Sequence, residues 1–256
     1  MLGLGLGLTS QRRRAAAWNP GDLTGLSFTV LATTGVEDGL LWQDTGKTTP
    51  ADAAAEPVRV SVCEYTASEP TAPSDAARPL VYAESVGYSL SFDGSNDCLR
   101  LTRTIADTSG SLVVAFTTGT SFAARRVLFS ASDPTAAGTW WEVGVGTDGR
   151  LYWEYSAAGV VQWTICGSSF LDTSTAYTLY LTHDDTDFFA EVDSPTLTGV
   201  EQNPLVAVSG TGPGVWMGDA AGMTEITVGG TVTSGGLQRA WSGRISSLIL
   251  CAEDIS

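Results

Sequence analysis

Apolar and polar side chains alternate through residues 89–101 (SLSFDGSNDCLRL), with one short polar interruption. Leu90 and Phe92 alternate with serines before the interruption, and Leu99 and Leu101 flank an arginine after it. This period of two indicates strands with one buried face. The intervening Asp-Gly and Asn-Asp pairs favour a turn. The pattern therefore predicts a β-hairpin in an antiparallel sheet.

Short runs of the same kind occupy much of the remaining chain. Glycine is abundant at 29 residues, and no long amphipathic helical pattern is present. Many short strands joined by tight turns are therefore expected, and 256 residues suffice for one all-β core. The predicted strands outside the hairpin are residues 26–32, 58–64, 111–117, 126–131, 140–146, 151–155, 160–165, 177–182, 188–193, 214–218 and 241–251.

The order of these runs resembles the laminin G-like, concanavalin A-like jelly roll. The resemblance covers about residues 86–256 and is carried by FDGSNDCL, GTDGRLYW, YTLYLTHDDTDFFAEVD, VWMGDA and WSGRISSLILCAEDIS. FDGSNDCL is similar to the opening hairpin of that family, and the last segment is similar to its closing strand. The resemblance implies an all-β, concanavalin A-like (laminin G-like) jelly-roll sandwich with an extended N-terminal arm.

The residues before this region resemble the leader that precedes such jelly rolls in virion structural proteins of tailed bacteriophages. The matching pieces are WNPGDLTGL, LLWQDTGKTTPA and AARPLV. The chain departs from the leader pattern at FTVLATT, where an aromatic strand is usual, and at VRVSVCEYTASEPTAPS, which replaces a polar loop. The resemblance divides the chain into an extended anchoring arm (1–17), leader strands and loops that pack on the sandwich (18–85) and the jelly roll (86–256).

In the first fourteen residues, four leucines alternate with glycines and three consecutive arginines follow. An extended chain of this pattern would show a leucine ridge on one side, and it could reach about 45 Å. A disordered terminus and an arm that anchors the protein in a larger assembly both fit the pattern. In the anchoring hypothesis the contact residues are Leu2, Leu4, Leu6, Leu8, Arg12, Arg13 and Arg14.

Charge and hydropathy restrict the surroundings in which the chain works. The formal net charge of −15 argues against nucleic-acid binding, which needs a basic face. No apolar run reaches the ~18 residues that a membrane span requires. A secretory signal carries its positive charges before the apolar stretch, whereas these arginines follow it. We therefore expect synthesis and folding in a reducing bacterial cytoplasm, without membrane insertion.

The four cysteines allow three disulfide pairings, and their spacing matches no metal site. Most of them lie in strand-like apolar contexts, where a free cysteine behaves as a small buried apolar residue. Four free thiols are the expected state, with a disulfide framework as the alternative. The residues are Cys63, Cys98, Cys166 and Cys251.

Aromatic residues on consecutive central strands are candidates for carbohydrate binding, because aromatic faces stack on sugar rings. Neighbouring residues of a strand face opposite sides, so only one of Trp140 and Trp141 can point into the core. Trp153 and Tyr155 share one face by the same rule. Core packing or a subunit interface is the competing explanation. The candidates are Trp140, Trp141, Trp153, Tyr155 and Trp163.

Two acidic turns are candidates for calcium binding, since Ca²⁺ takes oxygen ligands from carboxylates and amides. Asp and Asn are also common turn residues that need no metal. Calcium is therefore an optional ligand, and no cofactor is required. The candidate ligands are Asp93, Asn96 and Asp97 in one turn and Asp184, Asp185 and Asp187 in the other.

Two places in the chain are candidates for catalysis. Glu191 and Asp193 resemble part of the E-x-D-x-x-E motif of laminarinase-type glycosidases, which share the fold, but Thr196 stands at the third carboxylate position. Retaining hydrolysis needs two carboxyl groups ~5 Å apart, so the set is incomplete. His183, the single histidine, has no G-x-S-x-G partner motif and is expected to begin a surface turn. We therefore expect no enzyme activity.

The resemblance implies a non-enzymatic structural protein on the surface of a phage-like virion. It would be a head decoration or head fibre, or a tail fibre or spike. It would assemble as a homo-oligomer, with a trimer favoured, and contact capsid or tail proteins through the arm. The sandwich would face outward and bind host surface polysaccharide. A free carbohydrate-binding lectin is the alternative, followed by a glycoside hydrolase.

Overall fold

The computed structural model describes residues 26–63, 68–184, 186–194, 200–201, 206–209 and 215–252. Two large antiparallel sheets pack face to face around one hydrophobic core, so the predicted all-β sandwich is confirmed. None of the helices among these residues is long and apolar enough to cross a bilayer. The N-terminal arm, with its leucines and arginines, lies outside the described residues, and its anchoring role stays a prediction.

The described elements are mostly short strands, with a helix of one and a half turns and two 3₁₀ turns (Asp75–Ala77 and Met217–Asp219). In chain order they are β1 (Leu26–Leu31), α1 (Ala32–Glu37), β2 (Leu41–Trp42), β3 (Val60–Ser61), β4 (Leu80–Ala83), β5 (Tyr88–Asp93), β6 (Leu99–Thr102), β7 (Gly110–Thr118), β8 (Arg126–Ser132), β9 (Trp140–Val145), β10 (Arg150–Ala157), β11 (Val160–Phe170), β12 (Ala176–His183), β13 (Phe188–Asp193), β14 (Val200–Glu201), β15 (Val206–Ser209), β16 (Glu225–Val228), β17 (Thr231–Thr233), β18 (Gly236–Gln238) and β19 (Ser242–Cys251).

The two sheets share no strand. Sheet I has the order β14-β13-β12-β7-β19-β5-β4, and β1 also pairs with β19. Sheet II has the order β15-β11-β10-β9-β8-β16-β6. The closing strand β19 is long enough to pair with β5 through residues 242–245 and with β1 through residues 247–251. A small hairpin, β17–β18, stands outside both sheets.

Alternation along the strands fills the space between the sheets. Phe116 and Leu181 point inward from sheet I, and Trp141 and Trp153 point inward from sheet II, all at most 2% exposed. The ring of Phe188 bridges the sheets, with its centroid 6.3 Å from that of Trp141 and 6.2 Å from that of Trp153. Aromatic side chains bury more apolar area than any others, so this cluster is a main source of stability.

The leader is part of the sandwich itself. Phe28 and Val30 of β1 lie in the core at 0% and 1% exposure, and Val81 of β4 is also buried. On the opposite side of β1, the Thr29 hydroxyl and the Cys63 thiol share a hydrogen bond of 2.7 Å. The described part of residues 18–85 therefore supplies the strands β1 and β4 to sheet I.

The hairpin predicted for residues 89–101 is wrong. Its two strands form as expected, but β5 lies in sheet I and β6 lies in sheet II, so the turn between them connects the two layers. Phe92 and Leu99 face the same core from opposite sheets. Alternation reports one buried face and does not say which sheet a strand joins. The predicted strands β9 and β10 form a hairpin, and so do the predicted strands β12 and β13.

Two other predicted strands are largely absent from the described residues. The run at 58–64 contains only the two-residue strand β3. Within 214–218, the residues that the structure describes form no strand and lead into the turn Met217–Asp219. There the carboxylate of Asp219 accepts the backbone N–H of Trp216 at 3.0 Å, which bends the chain. This local side-chain hydrogen bond competes with strand geometry.

All four cysteines are buried free thiols. Burial raises the pKa of Cys98 to about 12, although the nearby Arg100 opposes that shift. A thiol with such a pKa stays protonated at neutral pH and is a poor nucleophile. Cys98 therefore serves as a packing residue.

Candidate functional site

The five aromatic candidates divide between the two faces of sheet II. Trp141, Trp153 and Trp163 lie in the core at 0%, 0% and 3% exposure, and Tyr155 packs against that core. Trp141, Trp153 and Trp163 therefore pack the sandwich and present no surface to a sugar, whereas Tyr155 is only partly buried. Trp140 faces the opposite side, as the alternation rule requires for neighbours on a strand. Carbohydrate binding stays a prediction at Trp140 and at Tyr155, the two candidates that are not buried.

The outer face of sheet II, where Trp140 lies, also carries a row of polar residues in register across five strands. Each of them is at most 5% exposed. The row is Thr164, Glu154, Glu142, Ser130 and Thr227, on β11, β10, β9, β8 and β16 respectively. The β17–β18 hairpin lies over this row, because the Ser130 hydroxyl donates to the carbonyl of Gly230 at 2.8 Å, just before the hairpin.

Glu142 is fully buried, and its carboxylate accepts hydrogen bonds from three side chains. Its Oε1 accepts the hydroxyl of Tyr152 at 3.1 Å and an N–H of Arg239. Its Oε2 accepts the hydroxyl of Thr231 at 2.5 Å, on the covering hairpin. Burial raises the pKa of Glu142, and the positive charge of Arg239 opposes that shift. The carboxylate thus ties the hairpin to the sheet.

Glu154 forms an ion pair with a second arginine, Arg125. Its Oε2 accepts an N–H of Arg125 at 2.9 Å and the hydroxyl of Thr164 at 2.7 Å. Its Oε1 is buried and has no hydrogen-bond partner among the described residues, although Nη1 of Arg239 lies 3.6 Å away. We call Arg125, Glu142, Tyr152, Glu154 and Arg239 the arginine–glutamate network.

Exposure within this network is unequal. The side chains of Glu142 and Glu154 are 0% and 3% exposed, whereas those of Arg125 and Arg239 are 34% and 29% exposed. The network is formally neutral, but a ligand approaching from solvent meets the guanidinium donors and not the carboxylates. On a chain with a net charge of −15, this face presents positive charge.

Both arginines are also fixed by aromatic rings. The guanidinium carbon of Arg125 lies 4.1 Å from the ring centroid of Tyr152, and that of Arg239 lies 4.9 Å from the centroid of Trp140. Arg239 has a left-handed backbone (φ 53°), a conformation that is costly for a residue other than glycine. Its carbonyl accepts the N–H of Val127 at 2.9 Å. Lys47, Ala55, Ala158 and Ser174 have the same conformation, so it marks a turn and does not by itself indicate function.

A cavity of about 240 Å³ lies beside the network. It is lined by Trp140 and Arg239 and by Thr231, Thr233 and Gln238 of the covering hairpin. Its walls combine an aromatic ring, a guanidinium, two hydroxyls and an amide. This combination suits an oxygen-rich ligand with both hydrogen-bond donors and acceptors.

The acidic turns use their side chains for local hydrogen bonds. Asp93 Oδ1 accepts the N–H groups of Ser95 and Asn96, and Asp97 Oδ2 accepts the N–H of Asp93 at 2.8 Å. Asp184 Oδ1 likewise accepts two backbone N–H groups, at 3.0 and 2.9 Å.

No group of three or more His, Cys, Asp or Glu side chains converges among the described residues, which do not include Asp185. Calcium binding at these turns stays a prediction.

His183 does not begin a surface turn, so that expectation is wrong. It is 0% exposed at the end of β12, on the inward side with Leu179 and Leu181. Its ring stacks on Trp216 at 5.8 Å between centroids and lies 4.5 Å from that of Phe188. The period of two in β12 extends one residue further than we expected.

Glu191 and Asp193 share the outer face of sheet I, as their spacing predicts. Glu191 is 6% exposed. The outer face of sheet I, which carries it, lies on the opposite side of the sandwich from the outer face of sheet II, which carries Thr164. Thr196, at the third position of the glycosidase pattern, is outside the described residues. The two carboxylates are therefore far from the arginine–glutamate network in the fold.

Sequence reasoning missed the network. Alternation alone places Trp140, Glu142 and Glu154 on one face, because residues 140 and 142 share a side of β9 and Glu154 lies opposite Glu142 on the next strand. This part of the network could therefore be recognised from the sequence. Arg125 and Arg239 lie just outside regular strands and reach their partners through the fold, and Arg239 is 97 positions from Glu142 in the sequence. No local pattern marks them.

Comparison with known proteins supports the fold. No protein-family model matches the chain, and no curated protein matches its sequence. Among solved structures, domain 4 of AbnA, a GH43 extracellular arabinanase from Geobacillus stearothermophilus in complex with arabinotriose, is 13% identical with a TM-score of 0.52. The alignment covers 88% of this chain and 91% of that domain.

Two sialidase structures are also similar. The Ruminococcus gnavus IT-sialidase CBM40 bound to α2,3-sialyllactose is 18% identical over 59% of this chain and 79% of that one, with a TM-score of 0.48. The NanB sialidase from Streptococcus pneumoniae is 15% identical over 65% of this chain and 26% of that one, with a TM-score of 0.48. The likeness to the arabinanase domain, at 13% identity, shows a β-sandwich fold and nothing further.

The stability of the protein should depend on pH through Asp97, in the first acidic turn. Burial raises the pKa of Asp97 to about 6, so its contribution to stability is complete below the unfolded value of 3.8 and is lost as pH rises through 6. Replacing Asp97 with Asn removes this titration. Between pH 5 and pH 7, the variant should gain about 1 kcal/mol relative to the unsubstituted protein in chemical denaturation.

Asp184→Asn is the matched control, because its shift has the opposite sign. Hydrogen bonds from Thr186 and Asp187 lower the pKa of Asp184 to about 2, so its contribution is present above 3.8 and is lost only as pH falls toward 2. The stability difference between this variant and the unsubstituted protein should stay constant from pH 5 to pH 7. Equal pH dependence in both variants would contradict the assignment.

The second prediction concerns the network. Arg239→Ala leaves the buried carboxylate of Glu142 without its cation and should lower the free energy of unfolding by about 3–5 kcal/mol. The double variant with Glu142→Gln also lacks that buried charge. Its free energy of unfolding should therefore be about 1 kcal/mol or more higher than that of Arg239→Ala alone. Arg150→Ala is the control, because Arg150 pairs with the exposed Asp148. This substitution should lower the free energy of unfolding by only about 0.5 kcal/mol. Additive effects of the two network substitutions would show that the pair is not coupled.

Proposed function

We propose that this protein is a non-catalytic carbohydrate-binding domain, and that the cavity beside Trp140 and Arg239 is its saccharide site. One observation carries the proposal. The arginine–glutamate network buries its carboxylates and leaves the guanidinium of Arg239 facing the cavity, next to the ring of Trp140. The donors are held in place before any ligand arrives.

The cavity fits the chemistry of a sugar ring. Hydroxyl and ring oxygens accept hydrogen bonds from Arg239, and sugar hydroxyls donate to Thr233 and to the amide oxygen of Gln238. At about 240 Å³ the cavity is smaller than the ~300–1,000 Å³ pockets that hold drug-sized ligands. It therefore suits one terminal or side-chain monosaccharide of a larger glycan.

The structural neighbours support a saccharide ligand. Domain 4 of the Geobacillus arabinanase, whose fold this chain shares over 88% of its length, was solved with arabinotriose. That ligand is neutral, whereas the exposed arginines here would also accept a carboxylate or sulfate on a sugar. The charge of the saccharide is therefore a property to measure.

Binding is a better account than hydrolysis. Glu142 and Glu154 are neighbours across β9 and β10, as the two carboxyl groups of a retaining glycosidase would be. However, neither carboxylate is accessible to solvent, and each is hydrogen-bonded to an arginine. An acid catalyst must reach the glycosidic oxygen, and these two groups cannot.

A saccharide screen tests the proposal. The full chain should bind members of an array of neutral and acidic oligosaccharides, and isothermal titration should then give the dissociation constant. Trp140→Ala and Gln238→Ala should each weaken binding about tenfold, which corresponds to about 1.4 kcal/mol. Phe170→Ala, at a ring that is 68% exposed outside the cavity, should leave the affinity within about twofold.

Absence of any saccharide ligand would contradict this assignment, as would equal weakening by all three variants. Turnover of β-glucans that disappears in Glu191→Gln would replace it with the glycoside hydrolase hypothesis.

The order of the leader and jelly-roll motifs favours a location for this domain. We propose that the protein sits on the surface of a phage-like virion as a decoration, fibre or spike. Residues 1–14 would contact capsid or tail proteins, and the assembled homo-oligomer, with a trimer favoured, would present the saccharide site to host surface glycans. The supporting observation is the sequence resemblance of the leader. A free lectin has the same site without the particle.

Immunogold electron microscopy of particles purified from the source culture tests the location. Label over heads or tails is expected for the full chain. A variant without residues 1–14 should leave the particles unlabelled and still bind saccharide, because the cavity lies on described residues remote in sequence from the arm. Unlabelled particles together with full-length protein in the soluble fraction would favour the free lectin.

A further inference from the structure

The two arginines of the arginine–glutamate network each use one nitrogen to hold a buried carboxylate. Nη1 of Arg125 donates to Oε2 of Glu154 at 2.9 Å, and Nη1 of Arg239 donates to Oε1 of Glu142. The other two nitrogens of each guanidinium, Nε and Nη2, have no hydrogen-bond partner among the described residues, and they are not buried. They are therefore free to bind a ligand.

The free nitrogens form the edge of the guanidinium that recognises oxyanions. Nε–H and one N–H of Nη2 are parallel donors, and their spacing matches two oxygens of a carboxylate or sulfate. Arg100 of β6, in the same sheet, uses this edge internally, because its Nε and Nη2 donate to the two carboxylate oxygens of Glu225 at 2.7 and 2.6 Å. The same edge is filled by the protein in Arg100 and open in Arg125 and Arg239.

Both open edges lie within reach of one ligand. The Nη1 atoms of the two arginines lie 2.9 and 3.6 Å from oxygens of the same carboxylate, that of Glu154, so they are at most about 9 Å apart. The rings of Tyr152 and Trp140 lie against the two guanidinium groups and limit their movement. A short oligosaccharide can therefore contact both edges at once.

Charge favours an acid group over a neutral hydroxyl at these edges. A hydrogen bond between a guanidinium and a carboxylate or sulfate is about twice as strong as one between neutral groups. The carboxylates that balance the two arginines are 0% and 3% exposed, so a ligand on the solvent side does not contact them. Asp148, an exposed carboxylate in the β9–β10 turn, is paired with Arg150.

The net charge of −15 does not prevent such binding. Repulsion between exposed charges is screened over about 8 Å at physiological ionic strength. Contacts at the two edges therefore decide the affinity, and the charge of the rest of the chain acts mainly on the rate of approach.

The neighbouring cavity indicates that a sugar carries the acid group. Arg239 lines this cavity together with Trp140 and with Thr231, Thr233 and Gln238. The hydroxyl and amide groups of these residues pair with hydroxyls of a ligand. A polyphosphate chain supplies oxyanions but has no hydroxyls along its length, so it would satisfy the arginines and leave the cavity unused.

For the proposed saccharide site, on which this step rests, we infer that the ligand is an acidic saccharide. Arg125 and Arg239 receive its carboxylate or sulfate groups through their Nε–Nη2 edges. The site thereby extends beyond the cavity, because Arg125 does not belong to the cavity lining. Arg125 is then the residue that distinguishes acidic from neutral saccharides.

Matched pairs of oligosaccharides test this preference with the full chain. The pairs are oligogalacturonate and its methyl ester, oligomannuronate and its methyl ester, and sulfated and unsulfated galacto-oligosaccharides, all of equal length. Each is titrated by calorimetry at one ionic strength. In every pair that binds, the charged member should bind at least ~10-fold more tightly than its neutral partner. Comparison of the uronate and sulfate pairs shows which acid group is preferred.

A conservative substitution separates recognition from stability. Arg125→Lys keeps a positive charge beside Glu154 but removes the two-donor edge. It should weaken binding of the charged member about fivefold or more and change the affinity for the neutral member less than about twofold. Arg239→Lys should act in the same direction, and it keeps the test open if Arg125→Lys does not fold.

Arg100→Lys is the matched control, because the edge of Arg100 already holds Glu225. It should change the affinity for either member of a pair less than about twofold. The melting temperature of each variant shows whether it folds.

Neutral members that bind as tightly as their charged partners would overturn the inference and leave the proposed function in place. The same holds for a saccharide array in which every ligand is neutral, and for an acid preference that both Arg125→Lys and Arg239→Lys retain. Tighter binding of polyphosphate of equal charge would overturn it by identifying a polyanion that is not a saccharide. Failure of every saccharide to bind would contradict the proposed function and this inference together.

Discussion

Glu142 is the residue on which the outer face of sheet II depends. A carboxylate that is completely removed from water costs several kcal/mol unless it is paired and hydrogen-bonded. Its three partners come from a neighbouring strand (Tyr152), the covering hairpin (Thr231) and the loop after that hairpin (Arg239). Displacing the hairpin would therefore leave a buried charge unsatisfied. Electrostatics fixes the hairpin where apolar packing alone would leave it free to shift.

The same requirement prepares the face for a ligand. Arg239 must satisfy Glu142, so its backbone is held at a φ of 53° and its guanidinium lies over Trp140. A donor that is already immobilised loses little conformational entropy when a ligand binds, which favours affinity. The exposed part of the arginine remains available after its inner N–H is used. One ion pair thus serves stability and, in the proposed function, recognition as well.

Sequence pattern predicted the strands well and their partners poorly. Period-two alternation found β9, β10, β12 and β13, and it placed Trp140 opposite in direction to Trp141. It could not show that β5 and β6 belong to different sheets, because one buried face looks the same from either side of a core. It also could not find Arg239, since an arginine in a loop carries no periodic signal and its partner is 97 residues away.

Burial decides which charge a ligand meets on the outer face of sheet II. There the carboxylates lie on the strands beneath a cover and the guanidinium groups reach solvent. The sign of charge that a ligand meets therefore depends on which partner of each ion pair is covered. An anionic ligand that approaches this face meets guanidinium donors, although the chain as a whole carries a net charge of −15.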